Sequence, residues 1–331
     1  MSLANLMRVG AIDVGSNSVR LLVADVRLEG GTPVAIQTVA RAGEACRLGR
    51  GLARNGLIEE GLASRAGNVV HDFARRARDL GAVHLVMAAT AALRSADNGA
   101  EVAGMLERRA GVRARILSGE DEARLVYRAV VGGLGPVARS SSCVVFDLGG
   151  GSTEVVSGVG LSAGRWTSLP FGAVSLSERF VTTDPITPDE SEALRDYVRA
   201  ILMRECAYLP DRAPLLAGVG GTITLLAGLD RGMTAYDPAM IEGHVIPAGR
   251  LRALIERLVA TSHEERMRWA VMGEGRADIV VAGALAVEVI LERFPSAGLV
   301  CSTQGLRYGL ALLAAEEAAR GQTGNGDEVR R

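Results

Sequence analysis

Lysine is absent from this 331-residue sequence, and all 37 of its basic residues are arginine. P-loop nucleotide hydrolases, protein kinases and pyridoxal-dependent enzymes each need a lysine at a fixed place, so the sequence excludes these three classes. Any phosphate ligand would therefore be held by arginine guanidinium groups, backbone N–H groups and hydroxyls.

Cysteine, histidine and aromatic residues are also scarce. The four cysteines and four histidines are scattered along the chain without a CxxC motif, a pattern that argues against a zinc site. A bound metal should then be a hard ion held by carboxylate and substrate oxygens, and Mg²⁺ is the first candidate. Because aromatic residues make up only 4% of the chain, we expect a core of Ala, Val and Leu.

Long apolar runs are missing as well. Even the run IVVAGALAV at 279–287 is far shorter than the ~20 residues of a membrane-spanning helix. Asp13 interrupts the first apolar run, so the sequence predicts no secretory leader and a cytoplasmic location. No run of arginines is interleaved with aromatic residues, and we expect neither nucleic acid nor a membrane as a partner.

What the sequence does contain is one pattern that occurs twice. AIDVGSNSVRLLVA at 11–24 and VVFDLGGGSTEVVSG at 144–158 align with Asp13 on Asp147, an offset of 147 − 13 = 134 residues. Each segment reads as a strand, a Gly-rich turn with Asp near its start, and a second strand. A charged Asp beside a flexible turn is an unusual choice for a structural hairpin, and its repetition indicates a duplicated unit.

The order of the remaining elements predicts two α/β domains. Strand and helix patterns alternate after the Gly-rich turn in both halves, which favours parallel strands covered by helices. We predict a first domain over 1–128, completed by a C-terminal helix over 305–320, and a second domain over 129–304. The polar stretch at 321–331 is predicted to be a disordered tail.

The two Gly-rich turns have the composition of phosphate-binding sites. Glycines let backbone N–H groups approach a ligand closely and form an anion-binding concavity. An Asp in such a turn would repel phosphate unless a cation lies between them, so Asp13 and Asp147 predict bound Mg²⁺. The alternative is a pair of tight hairpins in which Asp only caps the turn. Side-chain donors to phosphate would come from Ser16, Asn17, Ser18, Ser152 and Thr153.

Two further segments are candidates for the same chemistry. AGVGGTITLL at 217–226 reads as a strand, two glycines and a helix, and helix N-termini bind anions, although any strand-to-helix turn can carry two glycines. GEDEAR opens another helix with Glu120, Asp121 and Glu122. Either one of these carboxylates activates water for phosphate hydrolysis, or all three only interact with the helix dipole, and the residues alone leave both readings open.

Seven segments of the chain follow an order known from one protein family. They are VGAIDVGSNSVRLLV, AATAALRSADN, LSGEDEARLVY, VVFDLGGGSTEVV, GVGGTITLLAGL, TAYDPAMIEGH and CSTQGLRYGL. In this order they resemble the exopolyphosphatase/guanosine pentaphosphate phosphohydrolase (Ppx/GppA) family of the sugar kinase/actin-like ATPase superfamily. The resemblance extends over about residues 8–315, and the combination of motifs is highly specific.

The resemblance implies a fold, an activity and a cofactor. The fold would be α/β, with two duplicated actin-like (ribonuclease H-like) domains and a ligand cleft between them. The activity would be the release of terminal phosphate from inorganic polyphosphate, or of the γ-phosphate from pppGpp, with Mg²⁺.

The resemblance also implies roles for individual residues. Glu122, immediately before Ala-Arg, matches the family's catalytic base, and Arg94 in ALRSA matches a phosphate-binding arginine that we assign to catalysis. Asp147 and Glu154 match the acidic positions associated with the metal and the attacking water, and Asp13 is the third predicted metal ligand. The residues predicted to bind substrate phosphate are Gly15, Ser16, Asn17, Ser18, Arg20, Gly149, Gly150, Gly151, Ser152, Thr153, Gly220, Gly221, Thr222 and Arg307.

Two features depart from the family. Tyr308 stands where the family commonly has Glu, in the segment that contains Arg307, so the contacts of this segment are left open. Longer members continue into C-terminal helical domains, and this chain resembles the short two-domain form, for which we expect a preference for short chains or a nucleotide. The sequence leaves open both the choice between polyphosphate and pppGpp and that between monomer and homodimer.

Two other functions compete with hydrolysis. An actin-like small-molecule kinase would share both Gly-rich turns, but it would need adenosine and acceptor sites and would leave the GEDEAR cluster without a role. A non-catalytic sensor of pppGpp or polyphosphate would have no use for Glu122, Asp147 and Glu154 beside a polyanion. The exophosphatase hypothesis gives all of these residues a role.

Overall fold

The computed structural model describes residues 6–272 and 275–326, with side chains up to residue 320. In this part of the chain, no helix has the length and apolar character needed to cross a bilayer. The strands are β1 (Leu6–Val14), β2 (Ser18–Glu29), β3 (Thr32–Ala45), β4 (His84–Ala89), β5 (Ala114–Ile116), β6 (Ser142–Leu148), β7 (Thr153–Val159), β8 (Ser162–Leu169), β9 (Leu215–Val219), β10 (Val245–Pro247) and β11 (Gly298–Cys301). The helices are α1 (Leu52–Asn55), α2 (Glu60–Asp79), α3 (Ala91–Ser95), α4 (Gly99–Ala110), α5 (Gly119–Gly133), α6 (Pro136–Arg139), α7 (Ala173–Phe180), α8 (Pro188–Glu205), α9 (Gly221–Asp230), α10 (Pro238–Ile241), α11 (Ala248–Ala260), α12 (His263–Met267), α13 (Val280–Arg293) and α14 (Leu306–Gly326).

The described residues form two compact units. The first contains the chain up to Leu48, then Arg54–Ser118, and finally helix α14. The second contains Gly49–Ala53 and Gly119–Gly305. Each unit is built on one β-sheet, so the chain is a mixed α/β protein.

The sheet of the first unit has the strand order β3-β2-β1-β4-β5. Strands β1, β2 and β3 pair antiparallel in succession, whereas β4 pairs parallel with both β1 and β5. Gly15 turns the chain immediately after β1 and so produces the first hairpin. The parallel pairs need longer crossover connections, which α2 and α4 provide.

Helices α2 and α14 cover opposite faces of this first sheet. A Cβ at Gly10 would lie 3.2 Å from the Ala77 Cβ of α2, whereas Asp13 is three positions further along β1 and interacts with Arg307 of α14. Because side chains alternate along a strand, these two residues point to different faces. The last six residues of β1 are buried, as expected for a central strand.

The sheet of the second unit repeats this arrangement. Its order is β10-β11-β9-β6-β7-β8, in which β6, β7 and β8 pair antiparallel in succession. Strands β9 and β11 extend the sheet in parallel on the other side of β6, and β10 is an additional antiparallel edge strand. The predicted α/β class with two related halves is therefore confirmed.

The core of the second unit is organised around α13. Eleven of the 14 residues of this helix are buried, because α7, α8, α9 and α11 all pack against it. The nearly continuous apolar character of residues 277–294 predicts a central packed helix, and the structure confirms it.

The division between the units differs from the predicted boundary at residue 128. Helix α5 packs against β6, β7 and β8, so the whole helix belongs to the second unit and the division falls between Ser118 and Gly119. The sequence could not reveal this, because an amphipathic helix between two strands can pack on the sheet that precedes it or on the one that follows.

The C-terminal helix is also longer than predicted. The sequence predicts a disordered tail over 321–331, but α14 continues to Gly326. The strong helix formers before residue 321 allow the helix to continue into the polar stretch. The rest of the predicted tail, 327–331, lies outside the described residues.

A cluster of charged side chains fixes α14 to the edge of the first sheet. Glu317 of α14 accepts hydrogen bonds of 2.6 and 2.8 Å from Arg115 on β5, and His84 Nε2 on β4 lies 3.2 Å from its carboxylate. The hydrogen bonds from Arg115 are the main cause that lowers the pKa of Glu317. Because the ionised carboxylate gains these partners on folding, it stabilises the folded state at neutral pH.

We expect Glu317→Gln to lower the free energy of unfolding by about 1 kcal/mol at pH 7, because the two-pronged ion pair is lost. The pKa of Glu317 in the folded protein lies below its unfolded value of about 4.3. The difference in the free energy of unfolding between wild type and variant is therefore fully present above pH 4.3, and it disappears as the pH falls through the lowered folded pKa. Urea denaturation at neutral and acid pH measures it, and a double-mutant cycle with Arg115→Gln isolates the pair. Equal destabilisation at both pH values would contradict the ionic explanation.

Candidate active site

The two Gly-rich turns share one hydrogen-bonded geometry. In the first turn, the Gly15 N–H donates to the Ser18 carbonyl at 3.0 Å, and in the second the Gly149 N–H donates to the Ser152 carbonyl at 3.0 Å. These residues correspond to each other at the same offset as Asp13 and Asp147 in the sequence. The repeated sequence pattern therefore folds into a repeated structure.

The strand positions beside the turns carry different charges in the two units. Asp13 lies opposite Arg20 across the first hairpin, whereas Asp147 lies opposite Glu154 across the second. Directly opposed residues of an antiparallel pair share one face of the sheet and lie about 5 Å apart. The first hairpin thus pairs opposite charges, and the second brings two carboxylates together.

In the first unit, the predicted residues gather around a buried carboxylate. Asp13 is 7% exposed, and burial raises the pKa of its carboxyl, an effect that the charges of Arg20 and Arg307 oppose. Arg20 Nε also donates to Ser18 Oγ at 3.1 Å, and Ser16 is buried at the tip of the turn. The two positive charges of these arginines therefore outnumber the single negative charge of Asp13.

Arg94 lies at the same edge of the first sheet as this turn. The Thr90 N–H, just after β4, donates to the Val14 carbonyl at 3.2 Å, so α3 begins beside the end of β1. One guanidinium nitrogen of Arg94 donates to the Leu117 carbonyl at 2.9 Å. A guanidinium has five N–H groups, so Arg94 can be held in place by this bond and still bind an anion.

Tyr308 joins α14 to β3. Its side chain is 2% exposed, its hydroxyl lies 3.0 Å from Thr38 Oγ1, and it also accepts a hydrogen bond from Arg41. The contacts that the sequence leaves open for this position are thus packing and hydrogen bonds to an outer strand of the first sheet.

In the second unit, the backbone of the Gly-rich turn is oriented by α7. The carbonyls of Gly149 and Gly150 accept hydrogen bonds of 2.9 to 3.1 Å from the first N–H groups of this helix. The start of α7 can approach the turn this closely because residue 172 is glycine, since a Cβ there would lie 2.5 Å from the Gly150 carbonyl carbon. In a trans peptide the N–H points away from its carbonyl, so the N–H groups of Gly150 and Gly151 point away from α7.

Burial distinguishes among the three acidic residues at the start of α5. Glu122 is 6% exposed, whereas Asp121 is exposed and Glu120 forms a surface ion pair with Arg124 at 2.7 Å. The sequence alone leaves the choice among the three open. The fold makes Glu122 the one buried acid of this group.

A series of close contacts links the start of α5 to the opposed carboxylates. Gly119 packs so closely on β8 that a Cβ there would lie 2.8 Å from the Ser168 Cβ. The Ser168 hydroxyl donates to Glu154 Oε1 at 2.8 Å, and Glu154 lies opposite Asp147. Helix α5 therefore starts beside the acidic pair, with Glu122 within its first turn.

The third predicted loop also reaches this acidic pair. Gly220 has a φ of 118°, and a Cβ there would lie 2.4 Å from the Leu148 carbonyl oxygen and 3.6 Å from Asp147 Oδ1. Gly221 begins α9, and the N–H groups at the start of a helix can bind an anion. The loop approaches Asp147 closely because Gly220 has no side chain.

Arg276 is a candidate site residue that the sequence analysis missed. Its guanidinium carbon and Nε lie 3.7 Å from the position that a Cβ on Gly221 would occupy, so the guanidinium lies beside the start of α9. A helix N-terminus and a guanidinium both attract an anion. The sequence offers no signal for this arginine beyond its place before an apolar helix.

One predicted phosphate ligand has a hydroxyl that is engaged elsewhere, and another packs against a helix. Thr153 is fully buried, and its Oγ1 donates its only proton to the Phe171 carbonyl at 2.8 Å, so it braces the turn and is not placed to donate to phosphate. Thr222 packs against α13, where a Cβ on Gly283 would lie 2.4 Å from the Thr222 hydroxyl oxygen. A phosphate contact by Thr222 stays a prediction.

The described residues contain no group of three or more His, Cys, Asp or Glu side chains arranged to hold a metal ion. Among the predicted ligands, Asp147 and Glu154 fit a hard cation best, because two opposed carboxylates favour a positive charge between them, whereas Asp13 already lies opposite Arg20. Two carboxylates suffice for Mg²⁺, which keeps several waters and takes further oxygens from substrate phosphates.

Known proteins resemble this chain in both fold and sequence. A crystal structure of an exopolyphosphatase from Cytophaga hutchinsonii matches with a TM-score of 0.84 and 25% identity, over 94% of this chain and 98% of that one. Exopolyphosphatase 2 of Mycobacterium tuberculosis is 34% identical over 322 residues, which cover 93% of this chain and 98% of the relative. Together with the paired turns and the buried glutamate, these matches define a hydrolase with two actin-like α/β units.

The family follows from a match over most of the chain. Residues 23–317 match the Ppx/GppA phosphatase family. A crystal structure of the Aquifex aeolicus member of that family has a TM-score of 0.79 and 29% identity, over 95% of this chain and 99% of that one. The chain belongs to the Ppx/GppA phosphatase family, as the order of its motifs predicts.

We expect Gly220→Ala to lower the free energy of unfolding by about 2–4 kcal/mol, since the φ of 118° and the Leu148 carbonyl leave no room for a Cβ. Gly221→Ala is the matched control, because its Cβ would meet Arg276 at an ordinary 3.7 Å, and we expect a change below about 1 kcal/mol. Chemical denaturation of both variants measures the difference. Equal stability of the two variants would show that the conformation assigned to Gly220 is wrong.

Proposed function

We propose that this protein is an exopolyphosphatase that releases terminal orthophosphate from inorganic polyphosphate. The observation that carries the proposal is Glu122, a buried carboxylate on a helix that begins beside the acidic pair Asp147 and Glu154. Such a carboxylate is suited to activate water for attack on phosphorus. Two relatives that match almost from end to end bear the name exopolyphosphatase, which supports the same substrate class.

In the proposed reaction, water attacks the terminal phosphorus in line with the bridging oxygen that leaves. Glu122 accepts a proton from the water as the new P–O bond forms, and the bond from phosphorus to the bridging oxygen breaks. The electron pair of that bond goes to the leaving oxygen of the shortened chain. Glu122 lies in the first turn of α5, where the helix dipole attracts negative charge.

Backbone N–H groups and guanidinium groups would bind the phosphates of the substrate. The second unit offers the N–H groups of Gly150 and Gly151, and the start of α9 with Arg276 beside it. The first unit offers its own turn, with Arg20 and Arg94. Donors that are held in place before the substrate binds stabilise the charge on the equatorial oxygens without further reorganisation.

Mg²⁺ is the proposed cofactor, and Asp147 with Glu154 would hold it. When bound, it would supply positive charge to the phosphate oxygens. We assign Asp13 a different part, in which it orients Arg20 and Arg307 beside the first turn through their mutual attraction.

We expect Glu122→Gln to lower kcat for phosphate release from polyphosphate by ~10²- to 10⁴-fold, the usual contribution of a general base. Glu120→Gln is the matched control, because it removes an exposed carboxylate from the same helical turn, and we expect kcat to stay within about twofold of wild type. Phosphate release from short polyphosphate, long polyphosphate and pppGpp is measured in parallel. If Glu122→Gln kept the wild-type kcat, Glu122 would not be the general base.

The three substrates separate the alternative functions. Release mainly from polyphosphate supports the exopolyphosphatase, and release mainly from pppGpp would assign the protein as a pppGpp 5′-phosphohydrolase. Binding of all three without release would instead favour a sensor. Processive digestion of long chains would contradict the expected preference for short ones.

We expect Asp147→Asn to raise the Mg²⁺ concentration that gives half-maximal activity by about tenfold or more, because only one carboxylate then remains for the ion. A chelator should abolish the wild-type activity, and added Mg²⁺ should restore it. The measurement is phosphate release across a Mg²⁺ titration, with thermal unfolding of both proteins as the control for folding. Full activity in the presence of chelator would rule out the proposed cofactor.

A further inference from the structure

We propose that Arg47 binds a phosphate group of the substrate at the first Gly-rich turn, an inference that rests on the proposed function. Its guanidinium would add a planar fork of N–H donors to those of the turn and of Arg20. The inference follows from the backbone conformation of Arg47, from its attachment to the turn and from the charge balance of the first hairpin.

Arg47 adopts a backbone conformation that is unfavourable for its side chain. Its φ is 54°, and at every other described position with a positive φ the chain has glycine. A left-handed φ brings Cβ close to the following carbonyl oxygen, so that glycine and, less often, Asn or Asp occupy such positions. A glycine would make this bend with less strain, which means that the bend alone does not explain an arginine. Strained residues of this kind concentrate at ligand sites.

Hydrogen bonds fix this conformation at the tip of the first turn. The N–H groups of Cys46 and Arg47 both donate to the Asn17 carbonyl, at 3.0 and 2.8 Å. Cys46 and Leu48 are buried on either side of Arg47, so the segment is anchored at both neighbours. The end of β3 pairs with the start of β2, and the chain therefore leaves the sheet directly at the turn.

The half-buried side chain of Arg47 therefore starts next to the turn. Its Cα is one bond from a nitrogen that lies 2.8 Å from the Asn17 oxygen, and so it lies within about 4.3 Å of that oxygen. An arginine side chain is longer than this separation, so its guanidinium can reach a phosphate bound at the N–H groups and hydroxyls of the turn.

A further guanidinium at the first hairpin suits the charge of the proposed substrate. Polyphosphate carries a negative charge on every phosphate. Of the other arginines near this turn, Arg20 and Arg307 are both attracted to Asp13, and Arg94 already donates one hydrogen bond to the Leu117 carbonyl. The turn itself contributes only neutral donors from Ser16, Asn17 and Ser18. Arg47 would bring a positive charge to the turn from the other side, from beyond the end of β3.

Arg47→Gly tests the inference, because glycine keeps the left-handed backbone while the guanidinium is removed. We expect the KM for short polyphosphate to rise about 10- to 100-fold, as for a lost charge-assisted hydrogen bond, with kcat within about threefold of wild type. The midpoint of thermal unfolding should not fall, since glycine relieves the strain at this position. Arg47→Lys keeps the positive charge but loses the planar guanidinium donors, so we expect a KM between those of wild type and Arg47→Gly.

Arg113→Gly is the matched control for the loss of one arginine. Arg113 is exposed and lies just before β5. Because β5 runs parallel to β4, Arg113 lies at the edge of the sheet where β4 begins, whereas Arg94 follows the opposite end of β4. We expect its KM and kcat to equal those of wild type. Should Arg47→Gly fail to fold, Arg47→Asn provides the same comparison, because Asn also tolerates a left-handed φ.

Each outcome of this experiment decides the inference. A raised KM with an unchanged unfolding midpoint, together with a control that behaves as wild type, supports it. A wild-type KM in Arg47→Gly, in a protein whose wild type releases phosphate, overturns the inference and leaves the proposed function intact. A lower midpoint with kcat and KM both impaired assigns Arg47 a structural role and also overturns it. If the wild type releases phosphate from none of the substrates, the proposed function itself fails.

Discussion

Asp147 and Glu154 lie opposite each other on one face of the β6–β7 hairpin, and their repulsion constrains the surrounding part of the second unit. At the spacing of about 5 Å typical of directly opposed residues, two full negative charges would repel by about 3 kcal/mol at an effective dielectric constant of 20. The elements that approach the pair do so with small residues, Gly220 on one side and Ser168 on the other. Gly220 brings no side chain to the pair, and the Ser168 hydroxyl donates a hydrogen bond to Glu154.

The two hairpins show how a duplicated structure can acquire two electrostatic functions. Both turns close with the same backbone hydrogen bond, and both begin with Asp. A single difference, arginine at position 20 against glutamate at position 154, changes the local charge from balanced to strongly negative. In our proposal the first turn therefore contacts phosphate directly, whereas the second does so with the help of a cation. Because the chain lacks lysine, arginine supplies the positive side chains in both units.

The sequence predicted the main architecture because its signals are local. The Gly-rich turns, the alternation of strands and helices and the apolar α13 all follow from patterns within short windows, and the structure agrees with them. The assignment of α5 to the second unit could not be predicted in this way, because it depends on which sheet the apolar face of the helix meets.

The candidate site was predictable only in part, for the same reason. The motifs identified the turns and a group of three acids, but only the packing of α5 separates buried Glu122 from exposed Glu120. Arg276 is distant from the Gly220–Gly221 loop in sequence, and only the fold brings its guanidinium there. The left-handed φ of Arg47 has no sequence signature, since arginine is not a residue that patterns associate with such a conformation.

The place of α14 in the first unit affects the order in which the chain can fold during synthesis. The ribosome makes the first sheet early, then Gly119–Gly305 of the second unit, and only afterwards the helix that covers one face of the first sheet. Domains of a nascent chain generally fold from the N-terminus onward. Here the unit that starts first is completed last, and one apolar face of its sheet stays uncovered while the second unit is translated. The nascent chain would therefore be most exposed to aggregation, and most dependent on chaperones, during that interval.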